Sequence, residues 1–296
     1  MDEWFDDWDV KVVGNNADRC TCISSSCLTH NNKTSQSTQV NLEDNQARCS
    51  SYDPWDNELA RKFLKLPTKE KRKMLNGKVV PLGFVPIYIS SPYSLKTEKS
   101  TKFSADRIIN NKISLWNGDI TYLEVDAIVN PTGEGLVCYG GVDGAIRRVA
   151  GPTLFKELSQ FSGCAPGEAV FTGGHMLPAR YIIHTVGPRK LQKNVLQRAY
   201  KNILELVRRK NIKTVALPCI SSGDFGKPNK EDAEVALQSI RDWLEDYACE
   251  VDRVIFCLKD PQNFSIYNTL MPAFFPKDFV DRRPSKRICL DKIQSI

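Results

Sequence analysis

From Ile113 onward, short runs of β-branched and apolar residues alternate with longer stretches of helical spacing, and few architectures accept that order. A strand, a crossover helix and a second parallel strand pack as a βαβ unit, so the pattern predicts an α/β domain on a mostly parallel sheet. Strands are predicted at Ile113–Trp116, Ala127–Asn130, Ala169–Thr172, Tyr181–Val186, Thr214–Pro218 and Arg253–Leu258. Helices are predicted at Asp143–Ala150, Thr153–Gln160, Val195–Lys210, Glu231–Tyr247 and Ser265–Leu270. The helix near Glu231 aligns Ala233, Ala236, Leu237, Ile240 and Leu244 on one stripe, the buried face of a helix laid on a sheet.

Upstream the character changes. Residues 10–57 are rich in Asn, Ser, Thr, Asp and Cys with little apolar periodicity, so residues 1–57 are expected to form a disordered acidic arm. Cys20, Cys22, Cys27 and His30, with Cys49 to spare, are zinc-ligating residue types. Their spacings match no zinc pattern, and no zinc-stapled fold is expected around them. Residues 58–112 form a basic helix, broken by Pro67 and ended at Asn76-Gly77, then an extended connector with Pro81, Pro86 and Pro92. The main domain is expected over 113–276 and a basic tail over 277–296.

The net charge of +6 conceals segregation: residues 1–58 carry 4 basic and 11 acidic side chains, residues 59–112 carry 13 basic and 3 acidic. The basic run Lys69–Lys73 and the tail cluster Arg282–Arg287 suit a polyanion such as nucleic acid or a phosphate-rich ligand, although such runs are more often a solvated helix face. The tail cluster also resembles a weak nuclear-import signal. No stretch of about 18 apolar residues is present, which excludes a hydrophobic membrane-spanning helix. The acidic start of the chain is unlike a secretory or mitochondrial leader, and the 10 cysteines read as reduced thiols, so cytosol or nucleus is the expected compartment. No coiled-coil seam argues for a dimer.

In open α/β sheets, ligands lie beyond the carboxyl ends of the strands. Two loops there are glycine-rich: Asn130 to Gly144, and Ile220-Ser221-Ser222-Gly223-Asp224-Phe225-Gly226. Glycine lets backbone approach a ligand, and the N–H groups of Gly141, Val142 and Asp143 would sit at a helix amino terminus that attracts anions. Two such loops side by side suggest a diphosphate held between them, while each alone is equally an ordinary tight turn.

The segments Asn117-Gly118-Asp119-Ile120-Thr121, Val125–Asn130, Gly140-Gly141-Val142-Asp143-Gly144-Ala145-Ile146, Tyr181–Pro188 and Pro218–Gly226 resemble the macrodomain family, specifically its MacroD-type ADP-ribosyl-hydrolases. The likeness covers roughly Ile113 to Pro276, in family order and spacing. It implies a three-layer α/β/α fold around a mixed, mostly parallel sheet, with ADP-ribose in a crest groove and ADP-ribosylated proteins or O-acetyl-ADP-ribose as substrates. It requires neither metal nor other cofactor, and it adds poly-ADP-ribose to the polyanions that the basic segments would suit. By the same resemblance Asp119, with the Ile120 backbone, would receive the adenine amino group. Asn130, Gly140, Gly141, Val142, Ser221, Ser222, Gly223, Asp224, Phe225 and Gly226 would line the diphosphate and distal ribose. Asp143 would orient or activate water at the distal ribose. Its bland alternative is a helix N-cap.

Three departures from the family pattern bear on turnover. Gly133 stands where the subfamily has a ribose-binding Asn, for which Thr132 or Glu134 would have to compensate. Cys138 and Tyr139 replace two glycines and would narrow the groove, and Asp224 replaces a small apolar residue and is expected to point outward. The leading reading is a hydrolase and the rival a non-catalytic ADP-ribose reader. His184 reads as a hydrogen-bonded core residue, His175 as a loop residue with no visible partner, and Cys138, Cys164 and Cys219 as poor nucleophile candidates for want of a neighbouring base.

Overall fold

The computed structural model describes residues 53–75, 78–92, 102–137, 140–189, 192–220 and 229–277. Residues 1–52 of the acidic arm with its Cys/His cluster, Cys138 and Tyr139, the loop carrying Ser221 to Gly226 and residues 278–296 of the basic tail lie outside them. Residues 53–57 of the arm, expected to be disordered, are instead tied to the domain by Trp55 Nε1 donating to the Tyr181 hydroxyl and by Asn57 capping the first helix. Strands are β1 (Val80–Pro81), β2 (Ile113–Trp116), β3 (Leu123–Glu124), β4 (Ala127–Thr132), β5 (Ala169–Gly173), β6 (Tyr181–Val186), β7 (Thr214–Leu217) and β8 (Arg253–Cys257). Helices are α1 (Glu58–Leu64), α2 (Thr68–Met74), α3 (Arg107–Asn110), α4 (Gly141–Ala150), α5 (Pro152–Leu158), α6 (Lys193–Arg209), α7 (Lys230–Tyr247) and α8 (Pro261–Phe274).

Six strands form one sheet in the order β2-β8-β7-β4-β6-β5, parallel except for the antiparallel β5–β6 pair. The central strands are buried on both faces, which is why they read as continuous apolar runs rather than alternating ones. Successive side chains go to opposite cores: Ala127 and Val129 to one, Ile128 to the other, and likewise Val215 against Ala216 and Ile183 against Ile182. Helices α6, α7 and α8 cover the first face, and α4 and α5 the second. On α6, Leu196, Ala199, Tyr200, Ile203, Leu204 and Val207 are buried at helical spacing. Each large side chain so buried contributes roughly 1.5–3 kcal/mol.

Topology opens the sheet at one place. The chain leaving β4 runs through α4 and α5 towards β5 and β6, while the chain leaving β7 runs through α7 to β8, on the other side. The β4–β7 ladder stops at Ile128↔Ala216, yet β4 continues to Thr132 along β6. A crevice therefore begins between the carboxyl ends of β4 and β7, the switch point where open sheets take ligands. Pro131 lies in this extension, where no β7 partner needs its missing N–H.

The stretch expected to be a plain extended connector has more structure than that. It contains β1, paired with β3, two 3-10 turns and α3, and it places Val85, Tyr88 and Ile109 in the two cores. Upstream, Asn57 caps α1 by accepting the N–H groups of Leu59 and Ala60, and Pro67 separates α1 from α2 as its geometry requires. Cys219 and Cys257 are free thiols, whereas Cys249 is disulfide-bonded, which departs from the reading of all the cysteines as reduced.

Candidate functional site

The amino terminus of α4 stands at the mouth of the crevice. Gly140 (φ 88°) and Gly141 (φ 54°) both take the left-handed conformation, and a Cβ at Gly141 would meet nothing within 4 Å, so the constraint there is backbone alone. No side chain caps this helix, and Gly141 and Val142 are exposed. The first-turn N–H groups and the positive end of the helix dipole thus face the opening without an intrahelical acceptor.

Asp143, the third residue of α4, is not the N-cap. Only 2% exposed, its carboxylate turns inward, where Oδ1 accepts from Asn130 Nδ2 at 2.6 Å and from Arg147 Nε at 2.7 Å. Arg147, equally buried, also donates to Thr132 Oγ1 (3.3 Å) and to the Leu136 carbonyl (2.9 Å), and lies 5.3 Å over the Phe155 ring. One guanidinium therefore ties the helix, the end of β4 and the glycine-rich loop together. Removing one member of such a buried pair costs about 3–5 kcal/mol, because the other charge is left without a partner.

The network continues beneath. Asn130 Nδ2 lies 3.0 Å from His184 Nδ1, and His184 Nε2 lies 2.9 Å from Thr172 Oγ1. Burial first, then the charges of Arg147 and His175, hold the His184 pKa well below its ordinary value, so the ring is neutral at physiological pH. An amide nitrogen only donates, so Nδ1 accepts, Nε2–H donates to Thr172, and the Thr172 hydroxyl donates to the Gly173 carbonyl at 3.3 Å. His184 is a hydrogen-bonded core residue, as its strand position implied. Within this network two buried polar atoms keep no hydrogen-bond partner among the described residues: Asn130 Oδ1 and Arg147 Nη1.

Asp119 sits beside this site at the start of a 3-10 turn that packs on α4. Its Oδ1 accepts from the Thr121 N–H and hydroxyl, and its Oδ2 from Lys259 at 3.1 Å. Burial works against ionisation of Asp119, but the Thr121 hydrogen bonds and the Lys259 ammonium outweigh it and hold the carboxyl below its usual range. The Ile120 side chain is buried in the second core, which leaves its backbone for any ligand contact. Of the two residues beside Gly133 that would have to compensate for it, Thr132 accepts from Arg147 and Glu134 pairs with Arg189 at 2.9 Å.

Two partnerships escaped the sequence reading. Arg147 lies one helical turn beyond Asp143, and that i,i+4 spacing was a usable signal. His175 does have partners: Glu157 Oε2 at 2.5 Å and Thr153 Oγ1 at 3.0 Å, all from another part of the fold, so no local pattern announced them. Burial pushes the Cys219 thiol up to about 12, which argues against a thiolate nucleophile. Among the described residues no group of three or more His, Cys, Asp or Glu side chains is arranged to hold a metal.

The chain resembles known proteins over this same region. The Macro domain family model matches residues 129–236. ADP-ribose glycohydrolase MACROD2 of Homo sapiens is 41% identical over 237 residues, 76% of this chain and 55% of that protein. This chain thus spans little more than half the length of that relative. ADP-ribose glycohydrolase MACROD1 of Mus musculus is 41% identical over 226 residues, 73% of this chain and 70% of that one. Among solved structures, the Trypanosoma brucei macrodomain in complex with ADP-ribose superposes with a TM-score of 0.59 at 30% identity, over 76% of this chain and 94% of the other.

Proposed function

The chain belongs to the macrodomain family, and from that premise we propose that it binds ADP-ribose in the β4/β7 crevice and hydrolyses mono-ADP-ribose esters of acidic side chains, O-acetyl-ADP-ribose, or both. The observation that carries this reading is the wiring of Asp143: a buried carboxylate, oriented by Asn130 and Arg147, one turn inside an uncapped helix terminus that faces the crevice. The names of the MACROD1 and MACROD2 relatives support the same activity.

In this mechanism the diphosphate rests on the exposed N–H groups of Gly141 and Val142, and glycine there lets phosphate approach backbone closely. The adenine amino group donates to Asp119, sharing it with the exposed Lys259. Asp143 orients a water at the distal ribose and accepts its proton as the water oxygen bonds to the anomeric carbon. The bond from that carbon to the ester oxygen breaks, and the carboxylate leaves with the electron pair. A positioned base contributes typically 10²–10⁴-fold. Arg147 and Asn130 are positioning residues: they fix the Asp143 rotamer so that the water is addressed in one geometry.

A second reading, an ADP-ribose reader without turnover, draws on the bare backbone of Gly133 and on the engagement of Thr132 and Glu134 elsewhere. One pair of measurements separates the two. Wild type and Asp143→Ala are compared for ADP-ribose binding by calorimetry and for ADP-ribose release from a glutamate-modified protein. The hydrolase reading expects binding by both and release by wild type alone. Binding without release by either protein establishes the reader, and no binding by wild type rejects ADP-ribose as ligand.

A further inference from the structure

At the opposite, amino-terminal end of β4 and β7 the structure holds a second cleft, of about 420 Å³, walled by α1, α2 and the segments entering β4, β6 and β7. Phe63 lines one side, and Lys71, Arg72, Glu124, Asp126 and Arg180 bring five charges to it. Both carboxylates are already engaged. Glu124 takes Arg72 through two bonds, at 2.8 and 2.5 Å. Asp126 Oδ2 accepts the Lys213 and Thr214 N–H groups and the Thr214 hydroxyl, and its Oδ1 lies 3.8 Å from Arg180.

Lys71 is different. It is 8% exposed, and its ammonium makes no hydrogen bond or ion pair among the described residues. Burying an ammonium without a counter-charge is costly, and the group answers by losing affinity for its proton. Burial first, then the charge of Arg180, brings the Lys71 pKa down to about 8, with Glu124 opposing the shift. Arg180, on an exposed side chain, repels Lys71, and Glu124, which is held by Arg72, offsets that repulsion only in part. An anion placed there would relieve the desolvation and the repulsion together.

We propose that this cleft is a second ligand site, which takes a phosphate-class oxyanion between the Lys71 ammonium and the Arg180 guanidinium, at the end of the sheet remote from Asp143. The oxyanion is tetrahedral, small enough for the cleft and able to accept from both cations at once. It is either free phosphate or the terminal group of a phosphomonoester.

The test is calorimetric titration of the full chain with inorganic phosphate and with glycerol 3-phosphate, against sodium chloride of equal ionic strength, with and without saturating ADP-ribose. Wild type is compared with Lys71→Met, which keeps the apolar stem, and with Arg180→Gln, a change at an exposed side chain that leaves folding intact. The expected result is saturable binding that ADP-ribose leaves unchanged and that each substitution weakens about tenfold or more, as loss of a charge-assisted hydrogen bond does. Tighter binding of glycerol 3-phosphate identifies a phosphomonoester, and tighter binding of phosphate identifies the free ion. A further arm uses sulfate, which does not titrate in this range. Its affinity for wild type should fall as pH rises through about 8, where Lys71 loses its proton. The fall should vanish in Lys71→Met, which keeps Arg72, Arg180, Glu124 and Asp126. The proposal is overturned by the absence of binding above the chloride reference, by equal affinity in the variants, or by displacement with ADP-ribose.

Discussion

The two ends of strand β4 bury cations to nearly the same depth and treat them in opposite ways. Beyond the carboxyl end, Arg147 is 2% exposed and meets Asp143, Thr132 and the Leu136 carbonyl, while before the amino end Lys71 is 8% exposed and makes no ion pair among the described residues, its acidic neighbour Glu124 being bound to Arg72. Burial alone therefore says little about what a charge does. A paired charge is part of the scaffold and holds a neighbour in one rotamer, whereas an unpaired one stores unfavourable free energy that a ligand is able to release.

That contrast is open to breakage by substitution. The largest expected effect is on turnover: Asp143→Ala lowers the rate of ADP-ribose release by on the order of 10²–10⁴-fold, read in a release assay. Next, Arg147→Met leaves the Asp143 carboxylate buried without its cation and should destabilise the fold by about 3–5 kcal/mol in denaturant unfolding. Gly141→Ala forces a Cβ into left-handed backbone and should cost about 1–2 kcal/mol by the same measurement, with no steric clash to add to it. Lys71→Met is the informative counterpart of Arg147→Met: it removes an uncompensated charge and should change stability by less than about 1 kcal/mol, or increase it. A loss equal to that of Arg147→Met would erase the distinction between the two ends.

The pH dependence sharpens the same comparison. The folded-state pKa of Lys71, about 8, lies below the ordinary lysine value of 10.5, so between them the unfolded chain binds more protons than the folded one. Stability of wild type should accordingly rise with pH across that window, relative to Lys71→Met. At the smallest scale, the exposed Arg72–Glu124 pair should be worth less than about 1 kcal/mol in a double-mutant cycle, and should weaken with salt.

Much of the fold was legible because burial on both faces leaves a plain mark. β2 and β6 fall on their predicted residues, and β4 differs only in running through Pro131 to Thr132, beyond the point where its β7 ladder ends. The glycine-rich turn before Asp143 was legible for a similar reason, since Gly140 and Gly141 mark backbone that few other residues adopt. What sequence did not show is how side chains pair across elements. Glu157 and His175 meet only once α5 is laid against the turn after β5, and the cleft that holds Lys71 is lined in part by Glu124 and Arg180, which arrive from distant segments. A run of lysines ordinarily reads as a solvated face, and for Lys69 and Lys73 that reading holds. The inward position of Asp143 was likewise unreadable from its motif, which suits an N-cap as well as a base.

The central claim is that Asp143 supplies turnover from a rotamer fixed by Arg147. Its most direct test is a kinetic double-mutant cycle on ADP-ribose release, with wild type, Asp143→Ala, Arg147→Met and the double variant measured at saturating substrate. If Arg147 acts through Asp143, the double variant will be no slower than Asp143→Ala alone. Losses that multiply would show that the two residues act independently, and an Asp143→Ala variant as fast as wild type would contradict the account outright.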